Sequence, residues 1–155
     1  MRYYVEESPP ITAISPVVNT GALTGDIITL KNAGMCYIEL HITQGNAAPV
    51  AITIEQSTAV AGTGSKAITE VSNIWSNEDV TASDLLTKQT SAVSYTTSAA
   101  VKNKIVVFQV DPRTLDLANG FDCIQVKVAA SDAANLVQAH YVITSRRNDQ
   151  SVIID

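Results

Sequence analysis

The chain has 155 residues, a net charge of −5 and 46% hydrophobic residues. This length and hydrophobic content predict one folded domain with a proper core and exclude a disordered chain, which needs low hydropathy and high net charge. The acidic balance argues against nucleic-acid binding, which needs clustered Lys and Arg, and the one adjacent basic pair is Arg146-Arg147.

The first 24 residues differ in composition from the rest of the chain. Pro9-Pro10 and Ser15-Pro16 break any helix and bias the preceding residue toward extended backbone. Two interpretations stay open: an extended N-terminal arm that reaches a neighbouring subunit, and a first edge strand, where proline is tolerated. The opening residues predict no signal peptide, and no stretch approaches the roughly 20 apolar residues of a membrane span. We expect a soluble protein made in a cytoplasm.

The body of the chain, residues 25–145, carries short β-branched segments that alternate with period two and are separated by Gly, Asn, Ser and Thr. Residues 35–43 alternate most clearly, a pattern typical of a sheet with one buried and one outward face. There Cys36, Ile38, Leu40 and Ile42 are predicted on one face, and Tyr37, Glu39, His41 and Thr43 on the other. Strands are predicted over residues 26–31, 35–43, 50–57, 67–72, 104–110, 122–130 and 136–144.

Between these strands, residues 73–103 are polar and predict long loops, with a weak helical or turn segment over 79–87. Asp111 and Pro112 predict one helical turn, because Asp is a favoured N-cap and proline fits the first helical position. The pattern predicts an all-β fold: a single-domain antiparallel β-sandwich, jelly-roll-like, with an extended N-terminal arm over 1–24 and a C-terminal tail over 146–155.

Few residues suggest chemistry, and we expect no enzyme, no cofactor and no metal. The segment 62–66 lacks the spacing of a phosphate-binding loop and is interpreted as a glycine-rich hairpin tip. His41 and His140 belong to no metal-binding spacing, so we expect partly exposed sheet histidines. Cys36 and Cys123 are expected to be free, buried thiols. A disulfide stays open as the alternative, since it requires neighbouring strands with facing Cβ atoms.

Three stretches resemble a known group of proteins: Leu30–Gly34, then Val50–Thr58 running into Gly62–Ala67, then Asp116–Ile124 with its Asn-Gly-Phe-Asp turn. They resemble a group of small virion proteins of tailed bacteriophages, and the resemblance spans about residues 26–144. It implies a structural role in the particle, above all decoration or cementing of the capsid exterior, and supplies no catalytic residues. The arm and the tail match nothing in that group.

The resemblance implies that the partners are the major capsid protein or other virion proteins, and further copies of the chain in a dimer or trimer. It implies a location on the capsid surface after synthesis in the host cytoplasm, with no nucleic acid and no membrane as partner. Two alternatives stay open: a neck, tail or baseplate component, and a host-surface glycan-binding module. The second is disfavoured because such modules need aromatic platforms and only 5% of the residues are aromatic.

The terminal segments supply the candidate partner-binding residues. An extended segment gains backbone hydrogen bonds by adding a strand to a neighbour, and aromatic side chains are enriched at interface cores. The candidates are Tyr3, Tyr4, Pro9, Pro10, Ile11, Ile14, Val152, Ile153 and Ile154.

Overall fold

The structure is a computed structural model and describes residues 8–145. Those residues form two antiparallel sheets, with two short 3-10 helices, Pro112–Thr114 and Leu117–Asn119. The strands are β1 (Pro10–Val18), β2 (Leu23–Thr24), β3 (Ile28–Thr29), β4 (Ala33–Gln44), β5 (Ala51–Ser57), β6 (Lys66–Ala67), β7 (Asn73–Asn77), β8 (Thr87–Lys88), β9 (Ser94–Thr96), β10 (Asn103–Val110), β11 (Cys123–Val128) and β12 (Asn135–Ser145).

The two sheets interleave along the chain. Sheet A has the order β1-β12-β4-β10-β7-β8, and sheet B has the order β2-β11-β5-β6, with β3 beside β11 and β9 beside β5. The chain passes from one sheet to the other, so β12 inserts between β1 and β4 while β11 inserts between β2 and β5. This nesting of two Greek keys is the jelly-roll arrangement. The predicted all-β, jelly-roll-like sandwich is confirmed.

The core lies between the sheets and follows from the alternation of side chains along each strand. In sheet A, Ile38 of β4 lies opposite Phe108 of β10, and Leu40 lies opposite Val106. All four side chains are fully buried. Burying one such side chain contributes about 1.5–3 kcal/mol. The buried side chains of sheet A therefore help to hold it against sheet B.

One tyrosine joins the sheets through polar contacts. Tyr141 of β12 is fully buried, and its hydroxyl accepts a hydrogen bond from the Val126 N–H of β11 at 2.9 Å and donates one to the Asp26 carbonyl at 2.8 Å. Gly25 leaves the space for this contact, because a Cβ there would lie 2.8 Å from Val126 Cγ1 and 3.0 Å from the Tyr141 hydroxyl. The pair of hydrogen bonds satisfies backbone groups that burial would otherwise leave unpaired.

Part of the N-terminal segment belongs to the sandwich. Residues 10–18 form β1, the edge strand of sheet A, with bulges between Thr12 and Ile14 and between Ile14 and Val17. Ala13 and Ile14 contribute buried side chains to the core. For residues 10–18, the interpretation as an edge strand is therefore the one that the structure supports. The division of the whole chain into arm, body and tail stays a prediction.

Residues 73–103 contain more strand than the sequence predicts. Asn73–Asn77 forms β7 and pairs with β10, although its polar composition predicts a loop. Ile74 is the one aliphatic residue of this strand, so no apolar alternation marks it in the sequence. Within 79–87, residues 80–82 form a turn in which the Asp79 carboxylate accepts hydrogen bonds from the N–H groups of Thr81 and Ala82, and Thr87 begins β8. Of the strand predicted over 67–72, only β6 forms at its start.

The predicted helical turn after Asp111 is confirmed as a 3-10 helix. The Asp111 side chain accepts a hydrogen bond from the Arg113 N–H at 2.9 Å, and Pro112 occupies the first turn. The second 3-10 helix ends at Gly120, whose φ of 81° lies in the left-handed region that favours glycine.

Candidate partner-binding surface

The edges of the described sheets offer little room for an added strand. Sheet A ends on one side in β1, which carries Pro10, Pro16 and two bulges, and on the other side in the two-residue β8. Sheet B is bordered by strands of two or three residues. Prolines, bulges and short edge strands block edge-to-edge pairing. We therefore expect partners to meet the faces of the sandwich or the terminal segments.

The outward face of sheet A is partly exposed across four strands, and we call it the open face. Its central row crosses four strands: Trp75 lies opposite Val107, Val107 opposite Glu39, and Glu39 opposite His140. At about 4.8 Å between strands, this row is about 14 Å wide. The open face comprises Tyr37, Glu39, His41, Thr43, Asn73, Trp75, Ile105, Val107, Gln109, Leu136, Gln138 and His140.

The open face is nearly uncharged, although the protein carries a net charge of −5. Glu39 is its one carboxylate, and the Lys88 ammonium at its border lies 5.7 Å from the centre of the Trp75 ring. The remainder combines aromatic, aliphatic and amide side chains. Protein interfaces are enriched in Tyr and Trp and depleted of charged residues at their cores. The open face shares the low charge and the aromatic content of such interface cores.

A groove of about 170 Å³ lies at one end of the open face, where β12 begins. Its apolar walls are Pro16, Val80, Ile105 and Leu136, and its polar walls include His41 and Gln138. The register places Val18 beside Leu136, and the two side chains are 44% and 43% exposed. The groove therefore continues into an exposed apolar strip on the edge strand.

The outward face of sheet B is partly covered by the loop 58–65. Gly62 of this loop lies against Ile27, and Gly64 lies near Phe121. The Lys66 ammonium, directly after the loop, lies 4.0 Å from the centre of the Phe121 ring and 2.5 Å from the Asp116 carboxylate. Cys123 and Gln125 of β11 are 2% and 4% exposed although they face outward from the core. These two outward-facing side chains are therefore not available to a partner.

A buried polar network holds the segment before β10 against the sandwich. The Lys104 ammonium, with no exposed side-chain surface, lies 2.9 Å from the Glu78 carboxylate and donates to the Ser98 carbonyl at 2.6 Å. Glu78 also accepts hydrogen bonds from the Tyr95 hydroxyl at 2.7 Å and from the Ser98 hydroxyl at 2.9 Å. Burial raises the pKa of Glu78, but these hydrogen bonds and the Lys104 charge outweigh burial and leave the pKa below its usual value of 4.5. Burial raises the pKa of Tyr95 to about 12.

The sequence-predicted partner residues fall into two groups. Tyr3, Tyr4, Val152, Ile153 and Ile154 lie outside the described residues. Of the others, Pro9 and Ile11 are half-buried, Pro10 is exposed, and Ile14 is 6% exposed within the core. The Ile14 side chain is therefore packed inside the domain, away from any partner.

The sequence alone does not identify the open face as a site. The alternation over 35–43 correctly marks Tyr37, Glu39 and His41 as outward-facing, but it cannot show that β7, β10 and β12 extend the same surface. Both histidines lie on this face, His41 exposed and His140 half-buried, as predicted.

The cysteines are free and face different surroundings. Cys36 belongs to the core between the sheets, whereas Cys123 lies on the outward side of β11 beside Asp122. Within residues 8–145, no group of three or more His, Cys, Asp and Glu side chains is placed to hold a metal ion. None of the described helices has the length and hydrophobicity that crossing a membrane requires.

Comparison with known proteins identifies a related fold. No family model and no curated protein matches the chain. The SPBc2 prophage-derived protein YomS is similar in structure, with a TM-score of 0.51 and 10% sequence identity over 89% of this chain and 94% of YomS. This similarity shows a shared fold.

Two carbohydrate-binding structures are more distant. A CBM4 structure is 13% identical, with a TM-score of 0.33 over 88% of this chain and 70% of that one. The N-terminal cellulose-binding domain of Cellulomonas fimi β-1,4-glucanase C is 7% identical, with a TM-score of 0.32 over 94% of this chain and 81% of that domain. TM-scores this low support no argument about fold or function.

Proposed function

We propose that this protein is a structural component of a tailed-phage particle that decorates or cements the capsid exterior through protein–protein contacts. The observation that carries the proposal is the open face: a broad, nearly neutral surface with aromatic and amide side chains on an otherwise acidic jelly roll. Its phage origin is supported by the fold shared with a prophage-derived protein and by the resemblance of residues 26–144 to small virion proteins.

The proposed partners are the major capsid protein and further copies of this chain, and the proposed location is the capsid surface. A decoration protein needs a rigid body that makes many modest contacts, which symmetry multiplies into strong binding. The jelly roll supplies the rigid body, and the terminal segments supply additional points of attachment. No catalytic step is part of the proposal.

The test is to mix purified protein with undecorated capsid shells and to image them. We expect regular density on the shell and hundreds of copies per particle. A component of the neck or baseplate gives about a dozen copies confined to one vertex, and no occupancy at any salt concentration overturns the proposal.

A matched pair of variants assigns the contact to the open face. Val107→Lys places a charge at the centre of the open face, and Thr53→Lys places the same charge on the exposed outward side of sheet B. We expect Val107→Lys to remove shell binding and Thr53→Lys to leave it unchanged, with equal thermal unfolding temperatures as the control. Equal shell binding by both variants excludes the open face as the contact.

A further inference from the structure

We propose that the groove at the start of β12 binds the C-terminal segment Val152-Ile153-Ile154 of a second copy of this chain, so that copies associate head to tail. The inference rests on the proposed assembly function and names one of the contacts through which assembly proceeds. Three observations carry it: the apolar lining of the groove, the composition of the segment, and the distance between them.

The groove fits an apolar, extended segment. Its walls include Pro16, Val80, Ile105 and Leu136, and none of its lining residues carries a carboxylate. Lys104, which also lines it, is already paired with Glu78 and Ser98. An acidic residue beside the bound apolar segment, such as Asp155, therefore meets no like charge in the groove lining.

The segment matches this lining. Val152, Ile153 and Ile154 are three consecutive β-branched apolar residues, and they follow a polar stretch, Asn148–Ser151. β-branched residues favour extended backbone, and in an extended segment alternate side chains point to opposite sides. Two of the three side chains then enter the groove while the third faces outward.

The distance disfavours the groove of the same chain as the binding site. Along β12, at roughly 3.3 Å per residue, Ser145 lies about 23 Å from Gln138 at the near side of the groove and about 30 Å from Leu136 at its far side. Val152 follows Ser145 by seven residues, a reach of at most about 25 Å. Because β12 runs away from the groove, a return to the groove of the same chain requires a reversal of direction, which uses at least about two of those seven residues and leaves Val152 short of Gln138. A second copy has no such restriction.

The resulting contact is heterologous, because the groove of one copy meets the terminal segment of the next. Such contacts close into rings when the rotation between copies permits and otherwise form open filaments. Each copy has one groove and one segment, so association ends when a ring closes and otherwise continues as a filament.

The test uses two full-length variants, each with one half of the contact removed. The tail variant carries Val152→Ser, Ile153→Ser and Ile154→Ser, and the groove variant carries Leu136→Gln. Leu136 is 43% exposed, so its replacement leaves the fold intact. Val80→Gln is an independent second groove variant, and Leu85→Gln, at a side chain that is 72% exposed elsewhere, is the matched control.

Sedimentation velocity or light scattering measures the outcome. We expect the unchanged protein and Leu85→Gln to self-associate as concentration rises, and the tail and groove variants each to be at least tenfold weaker in association. An equimolar mixture of the tail variant and the groove variant should form a 1:1 dimer, because one intact groove and one intact segment remain.

Three results overturn the inference: a monomeric unchanged protein, a mixture that stays monomeric, and a groove variant that associates normally. Loss of association in a Tyr3→Ser/Tyr4→Ser variant but not in the tail variant also overturns it, because the N-terminal segment is then the occupant. Shell binding is scored separately, so a failure of self-association with intact shell binding overturns this inference and leaves the proposed function standing.

Discussion

The ammonium group of Lys104 lies 2.9 Å from the carboxylate of Glu78, and the lysine side chain has no exposed surface while the glutamate side chain is 30% exposed. β10 otherwise directs apolar side chains inward at this row, since Val106, Phe108 and Val110 occupy the next alternate positions. The lysine thus occupies a core position at the end of the sandwich and depends on its partners for charge compensation.

Removing the glutamate charge should destabilise the fold more than removing both charges. Glu78→Gln leaves the buried Lys104 ammonium without a carboxylate partner. We expect the free energy of unfolding to fall by about 2–3 kcal/mol. The loss is smaller than for a fully buried pair because the Glu78 side chain is 30% exposed. Lys104→Met combined with Glu78→Gln should recover part of that loss. Urea unfolding of both variants and of Lys104→Met alone measures the coupling. Additive changes in the free energy of unfolding would contradict the pairing.

The same contact predicts a dependence of stability on pH. The pKa of Glu78 is below its usual value of 4.5 in the folded protein, so its contribution to stability is fully present above about pH 4.5 and is lost as the pH falls through the lower, folded pKa. The stability difference between the unchanged protein and Glu78→Gln should therefore shrink in acid. Unfolding free energies of both proteins between pH 7 and pH 3 give the measurement, and a constant difference argues against it.

Tyr141→Phe isolates the hydrogen bonds that join the two sheets. The substitution keeps the ring but leaves the Val126 N–H and the Asp26 carbonyl without their shared partner. We expect a loss of about 1–3 kcal/mol in the free energy of unfolding. Tyr37→Phe on the open face is the control and should change stability little. A similar effect of both substitutions would show that the two hydrogen bonds of the Tyr141 hydroxyl contribute no special stability.

Truncations separate the edge strand from the residues before it. Removal of residues 1–7 should leave the unfolding temperature unchanged, because the described strand begins at Pro10. Removal of residues 1–18 deletes β1, takes Ala13 and Ile14 out of the core and exposes the edge of β12. We expect that protein to unfold many degrees lower and to aggregate. Thermal unfolding followed by circular dichroism distinguishes the two, and equal stability would contradict the role of β1.

Both cysteines should resist modification in the folded protein. Burial raises the pKa of the Cys36 thiol, and burial together with the neighbouring Asp122 carboxylate raises the pKa of Cys123 to about 11. A thiol reagent at pH 8 should label neither residue before unfolding and both after it. Rapid labelling of Cys123 alone would show that the surroundings of this thiol open readily in the folded protein.

The sequence predicts the sheets better than the surface they create. β4 alternates apolar and polar residues over 36–43, the pattern of a strand with one buried face, and β10 is marked by its run of β-branched and aromatic residues. β7 escapes prediction because its neighbours, not its own composition, hold it in the sheet. The groove cannot be predicted from the sequence for a related reason. Its apolar walls come from four distant parts of the chain: Pro16, Val80, Ile105 and Leu136. Only the jelly-roll connections bring them together.

The separate positions of Cys36 and Cys123 mean that oxidation has no intramolecular bond to form. The Cys36 sulfur lies in the core between the sheets and the Cys123 sulfur lies on the outward side of β11, so we expect no bond within the chain either in a reducing cell interior or in aerated medium. The unfolding temperature should therefore be the same with and without dithiothreitol.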